Sequence, residues 1–159
     1  MRDDVMPFSE HSDPLAICDR LRNATIVTPG LMMEIVEAAC RRLPAGRQTT
    51  NPARIRGLID AHAWTDAALA LVDLELPSWR IRRIAYDAGD WYCALSRQRE
   101  LPDWLDQSIE SRHADLAIAI LSALVEAQIT EKQPSGPGVP AALRNMSSDH
   151  ISLCCENFA

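Results

Sequence analysis

The sequence predicts an α+β fold: a mainly helical single domain with one β-hairpin and a disordered C-terminal tail. Three observations carry this prediction. Helix-entry signals recur at Asp13-Pro14, Thr28-Pro29 and Asn51-Pro52, each a capping side chain ahead of a proline. One stretch, WRIRRIAYDAGDWYCALSR at 79–97, alternates about a tight turn instead. Finally, QPSGPGVP at 133–140 is a Pro/Gly linker, and the nineteen residues after it hold one short helical run, AALRNM, and little to bury.

Taken in order, residues 1–12 form a flexible leader and LAICDRLR the first short helix. The next helix, GLMMEIVEAACRRL, is expected to run to Leu43, where Pro44 and Gly46 stop it. It carries two neighbouring apolar stripes: Leu31, Ile35 and Ala38 beside Met32, Val36, Ala39 and Leu43. Glu37 and Arg41 supply an i,i+4 pair on what remains. After the polar connection AGRQTTN, the helix ARIRGLIDAHA places Ile55, Leu58, Ile59 and His62 on one face. Thr65 then caps DAALALVDLEL, which Pro77 closes, giving an antiparallel helical hairpin.

The β-hairpin spans about residues 79–96. Alanine resists positive φ, so Asp87-Ala88-Gly89 is expected as a three-residue bulged turn, with Tyr86 opposite Asp90 and Ala85 opposite Trp91. One face then holds Trp79, Ile81, Ala85, Trp91, Cys93 and Leu95, with Arg83 as a misfit. The other holds Arg80, Arg82, Ile84, Tyr86, Tyr92 and Ser96. A two-residue Ala88-Gly89 loop shifts the pairing by one and mixes these faces. After the short helical turn DWLDQ, the strongest helix is expected over about 108–128, buried along Ile109, His113, Leu116, Ile120 and Leu124. The domain is thus read as 13–128, with linker and mobile tail over 129–159.

Composition narrows the function classes. The chain has 159 residues and a formal net charge of -6, yet residues 41–56 hold five arginines and no acid. Such a balance disfavours nonspecific attachment to nucleic acid or an anionic membrane, while leaving local basic patches. Five cysteines show no CxxC spacing, and Cys18, Cys40 and Cys93 sit among apolar residues as small hydrophobes. The longest apolar run, Leu116 to Val125, is too short to span a bilayer, and the N-terminal residues lack a signal-peptide core. The expectation is a cytoplasmic protein without a membrane partner.

The segment from about 52 to 127, chiefly ARIRGLIDAHAWTDAALALVDLELP, WRIRRIAYDAGDWYCALSRQ and ELPDWLDQ, resembles short uncharacterised bacterial proteins. The resemblance covers about half the chain and implies one folding unit. It supplies no catalytic residue.

No P-loop, GxGxxG, GxSxG, paired-carboxylate or EF-hand pattern is present, so no catalytic residue and no cofactor are expected. His62, His113 and Cys93 are scattered singly, without the spacing of a zinc site. Cys154 and Cys155 do not meet the prenylation pattern. Arg54 and Arg56 lie near a helix start, where a bound anion would relieve their conflict with the helix dipole. The leading expectation is a non-enzymatic protein–protein interaction or regulatory module. It docks another protein or a second copy of itself through Leu31, Met32, Ile35 and Val36 and through Arg80, Arg82, Tyr86 and Tyr92. A nucleic-acid-associated factor using the Arg/Tyr hairpin face ranks second, and an enzyme of unrecognised class third.

Overall fold

A computed structural model describes residues 13–45, 50–97 and 108–132. In chain order the elements are α1 (Pro14–Asn23), α2 (Pro29–Ala39), α3 (Arg42–Ala45), α4 (Thr50–Asp60), α5 (Trp64–Glu75), β1 (Arg80–Asp87), β2 (Asp90–Ser96), β3 (Ile109–His113) and α6 (Leu116–Lys132). This is a mainly helical α+β domain. The leader, most of the AGRQTTN connection, the DWLDQ turn, and the linker and tail beyond Lys132, with Cys154 and Cys155, lie outside the described residues.

Two of the three helix-entry signals act as the residues suggest. Asp13 accepts from the Leu15 N–H at 3.2 Å, and Thr28 Oγ1 accepts from the Leu31 N–H at 3.2 Å. At the third, α4 already includes Asn51 and Pro52 rather than starting after them.

The helix expected to reach Leu43 stops at Ala39, and the cause is Glu75. This buried α5 carboxylate accepts the N–H groups of Arg41 at 3.0 Å, Arg42 at 2.9 Å and Leu43 at 2.9 Å. Those donors would otherwise bond four residues back along α2. Captured by a charged acceptor instead, they turn the chain at Cys40 and start the one-turn α3. Arg41 lies beyond the helix end, so it makes no i,i+4 pair with Glu37.

His62 is also displaced from its expected helical face. It sits at φ 57° between α4 and α5. The His62 N–H donates to the Ile59 carbonyl at 3.0 Å and the Ala63 N–H to the Leu58 carbonyl at 2.9 Å, a helix-ending pattern that requires the left-handed conformation. The exposed imidazole stacks on Trp64, with ring centroids 4.9 Å apart.

The largest correction concerns residues 109–113. They form β3, paired antiparallel with β2, and not the first turns of a helix. The sheet is therefore three-stranded, ordered β1-β2-β3. Ile109 and His113 satisfy a helical spacing, but Ile109, Ser111 and His113 equally satisfy a strand spacing. The open edge of β2 decides, by offering backbone partners. Helix α6 starts afresh after Asp115, whose carboxylate accepts the Ile118 N–H at 3.0 Å, and continues to Lys132.

Helix α6 organises the core. It returns beneath the sheet from the β3 end toward the hairpin base: Ser111 Oγ donates to the Ala119 carbonyl, and Trp79 Nε1 donates to Glu131 at 2.9 Å. The sheet strands β2 and β3 lie against it, as do α5 and α1. Consequently it is buried on nearly all sides rather than along one stripe, with Ile118, Ile120, Leu121, Leu124 and Val125 at 0% exposure.

Candidate functional site

The hairpin register differs from expectation at its tip and agrees at its base. Tyr86 lies opposite Trp91 and Asp87 opposite Asp90, which leaves a two-residue turn with Ala88 at φ 50° and Gly89 at φ 96°. Positive φ at both positions matches the natural twist of a hairpin, and that match outweighs the alanine cost of about 1 kcal/mol. The extra residue appears instead inside β1. A bulge at Arg82 restores Ile81 opposite Leu95 and Arg80 opposite Ser96. Arg83, the misfit of the expected register, now faces outward opposite Ala94.

The inner sheet face thus carries Ile81, Ile84 and Tyr86 of β1 with Trp91, Cys93 and Leu95 of β2. Cys93 and Leu95 are fully buried, because α6 lies against β2 and β3. At the base of β1, Ile81 is half-buried against the core, but the cover does not reach the tip half of the strand. Ile84 remains 37% exposed and Tyr86 61% exposed, with the Tyr86 ring tilted against Trp91 at 5.1 Å. An apolar and aromatic shelf therefore overhangs the helical layer.

On the outer face, Ala85 and Ala94 leave a hollow of about 400 Å³ walled by Arg83, Tyr92, Glu110 and Arg112. Arg112 lies over the Tyr92 ring at 4.3 Å and donates to its hydroxyl at 2.7 Å. The expected face combining Arg80, Arg82, Tyr86 and Tyr92 is not assembled: the two tyrosines point to opposite sides of the sheet. Arg80 donates to the carbonyls of Pro77 and Trp79, and Arg82 occupies the bulge with a partner of its own.

The expected α2 surface is divided. Met32 and Ile35 belong to the core at 0% exposure, while Leu31 and Val36 are half-buried. Met33, on the Val36 flank, is 50% exposed. Ile26, just before the helix, is 61% exposed beside a hollow of about 610 Å³ that Leu31 also lines. Arg20 and Glu34 form an ion pair on the rim of that hollow.

Most of the remaining candidates have structural partners. Arg56 donates to the Leu43 carbonyl at 3.4 Å, and Arg54 is exposed. His113 Nε2 lies 2.8 Å from the Ala24 carbonyl, and its Nδ1 accepts the Asp115 N–H at 2.9 Å. Among the described residues no three His, Cys, Asp or Glu side chains gather as a metal site requires. Burial pushes the Cys93 thiol up to about 11, and burial with the Glu75 charge pushes Cys40 higher still. Desolvation likewise raises the Glu126 carboxyl, against the attraction of Arg22.

Sequence reasoning missed the shelf because a register error of one residue moves every side chain of a strand tip to the opposite face. The usable signal was the Ile84–Tyr86 spacing, matched to Trp91 and Cys93 across a two-residue loop. No described helix is long and apolar enough to cross a membrane. No protein-family model, curated protein or solved structure matches the chain.

Proposed function

We propose that this chain is a protein–protein interaction module, regulatory rather than catalytic, that docks through the uncovered β1 side of its hairpin. One observation carries the reading. Ile84 and Tyr86 share a face with fully buried Cys93 and Leu95, yet stand outside the cover that α6 provides. Enclosing their exposed parts against a partner contributes about 2 kcal/mol, enough to matter in a small interface. A cytoplasmic setting is part of the proposal, supported by Cys18, Cys40 and Cys93 remaining free thiols. The nucleic-acid reading draws less support. Arg83 and Arg112 share the outer face with Glu110 and Asp87, and the Tyr92 ring is occupied by Arg112.

The test is affinity capture from the source organism with three baits: the native chain, an Ile84→Ser/Tyr86→Ser variant and an Ile26→Ser/Met33→Ser variant. A protein retained by the native chain and the third bait, but lost with the second, is the expected result. Loss only with the third bait would move the docking surface to the α1–α2 corner and end the hairpin reading.

A further inference from the structure

The segment Arg83-Ile84-Ala85-Tyr86-Asp87 is complementary to itself when laid antiparallel. Centred on Ala85, it sets Arg83 of one copy opposite Asp87 of the other and Ile84 opposite Tyr86, each pair occurring twice. We infer that two copies of this chain pair through the free edges of β1, joining their sheets into one six-stranded antiparallel sheet. This rests on the hairpin docking reading and names its occupant.

Backbone geometry permits it. Among the described residues β1 pairs only with β2. A two-residue turn makes Asp87 and Asp90 a hydrogen-bonded pair, so Asp87, Ala85 and Arg83 direct their backbone groups toward β2. Ile84 and Tyr86, the alternate residues, direct theirs to the open edge. Those are the residues that meet in the proposed register, which supplies four hydrogen bonds about a two-fold axis. The bulge at Arg82 confines regular pairing to residues 83–87, so register slip has little room.

Side-chain chemistry agrees on both faces. Ile84 and Tyr86 both face inward, so each exposed Tyr86 ring gains an Ile84 neighbour from the other copy, and the two apolar shelves merge. Arg83 and Asp87 both face outward and are exposed, and neither has an ion-pair partner among the described residues. At the axis two Ala85 side chains meet, small enough for close approach. Arginines on a strand edge normally repel further pairing. Here the strand carries its own countercharge four residues away, which makes the edge repellent to other arrangements and receptive to this one. The symmetry is isologous, so assembly closes at two copies.

The interface is small, so association is expected to be weak, and sedimentation equilibrium should run to protein concentrations on the order of 100 μM. The native chain is expected to dimerise there. Arg83→Asp alone and Asp87→Arg alone each place like charges together and should weaken the dimer at least about tenfold. The Arg83→Asp/Asp87→Arg double variant restores opposite charges and should recover it. Circular dichroism of each variant guards against misfolding. A strictly monomeric native chain, or a double variant no better than the singles, overturns the proposal. If the native chain is monomeric while Ile84→Ser/Tyr86→Ser still abolishes capture of a different protein, self-pairing fails and hairpin docking stands. If capture is unaffected as well, both fail.

Discussion

The two outer strands of this sheet have opposite fates. β3 is five residues long, with α6 packed against it, and the side chain of His113 is tied to the Ala24 carbonyl after α1. β1 is eight residues long and bulged, and five of its eight residues are exposed. β1 holds the more apolar residues, Ile81, Ile84, Ala85 and Tyr86 against Ile109 alone in β3, so composition does not decide which strand is covered. What separates them is the path of α6, which leaves β3 after a two-residue link and returns beneath β3 and β2. A helix covers roughly two strands, and the tip half of the third, at Ile84 and Tyr86, keeps an apolar face without a cover.

The strongest way to break this contrast is to truncate one apolar residue on each side of the boundary. Leu95→Ala, under α6, should cost about 3 kcal/mol in denaturant unfolding, whereas Ile84→Ala should cost about 1 kcal/mol or less. Equal costs would mean that β1 is covered after all. The alkaline limb offers a second comparison. The Cys93 thiol has its folded value raised to about 11 from 9.0, so the fold holds its proton more tightly than the unfolded chain does. Its contribution is complete below pH 9 and is lost as pH rises through 11; Cys18 and Cys40, also raised by burial, act in the same direction. Thermal midpoints should fall across that window, and less steeply in a Cys93→Ala variant compared with its own value at pH 8.

His113→Ala tests the tie on the covered side. Losing the contact to Ala24 and the acceptor for the Asp115 N–H should cost about 1–2 kcal/mol and speed amide exchange in β3 before β2. The smallest effect belongs to the tip. Ala88→Asn supplies a residue that tolerates the left-handed turn and should stabilise the fold by about 0.5–1 kcal/mol, without changing the pairing of Ile84 with Cys93. A destabilised variant would mean that the turn is not at positive φ in solution.

Much of the helical frame was legible locally. Asp13 and Thr28 cap where their side chains and the following prolines direct, and Ile55, Ile120 and Leu124 take the core positions their periodicity marks. Three of the exceptions share a cause. At Arg41–Leu43, at Ile109–His113 and at Arg82 the local pattern allowed two answers, and a distant group chose between them: the Glu75 carboxylate, the β2 edge and the hairpin twist respectively. The candidate site was legible only as a cluster of arginines and aromatic rings. Which of them share a face depended on where one extra residue was absorbed.

The sequence by itself determined that this is a mainly helical α+β domain containing a hairpin, because capping, periodicity and turn residues act over a few neighbours. Tertiary structure alone decided that the hairpin gains a third strand, that Met32 and Ile35 go inward, and that Ile84 and Tyr86 stay out. Those outcomes depend on which backbone edge and which helix arrive from elsewhere in the chain, and hydrogen bonding and burial reward the arrival rather than the local pattern.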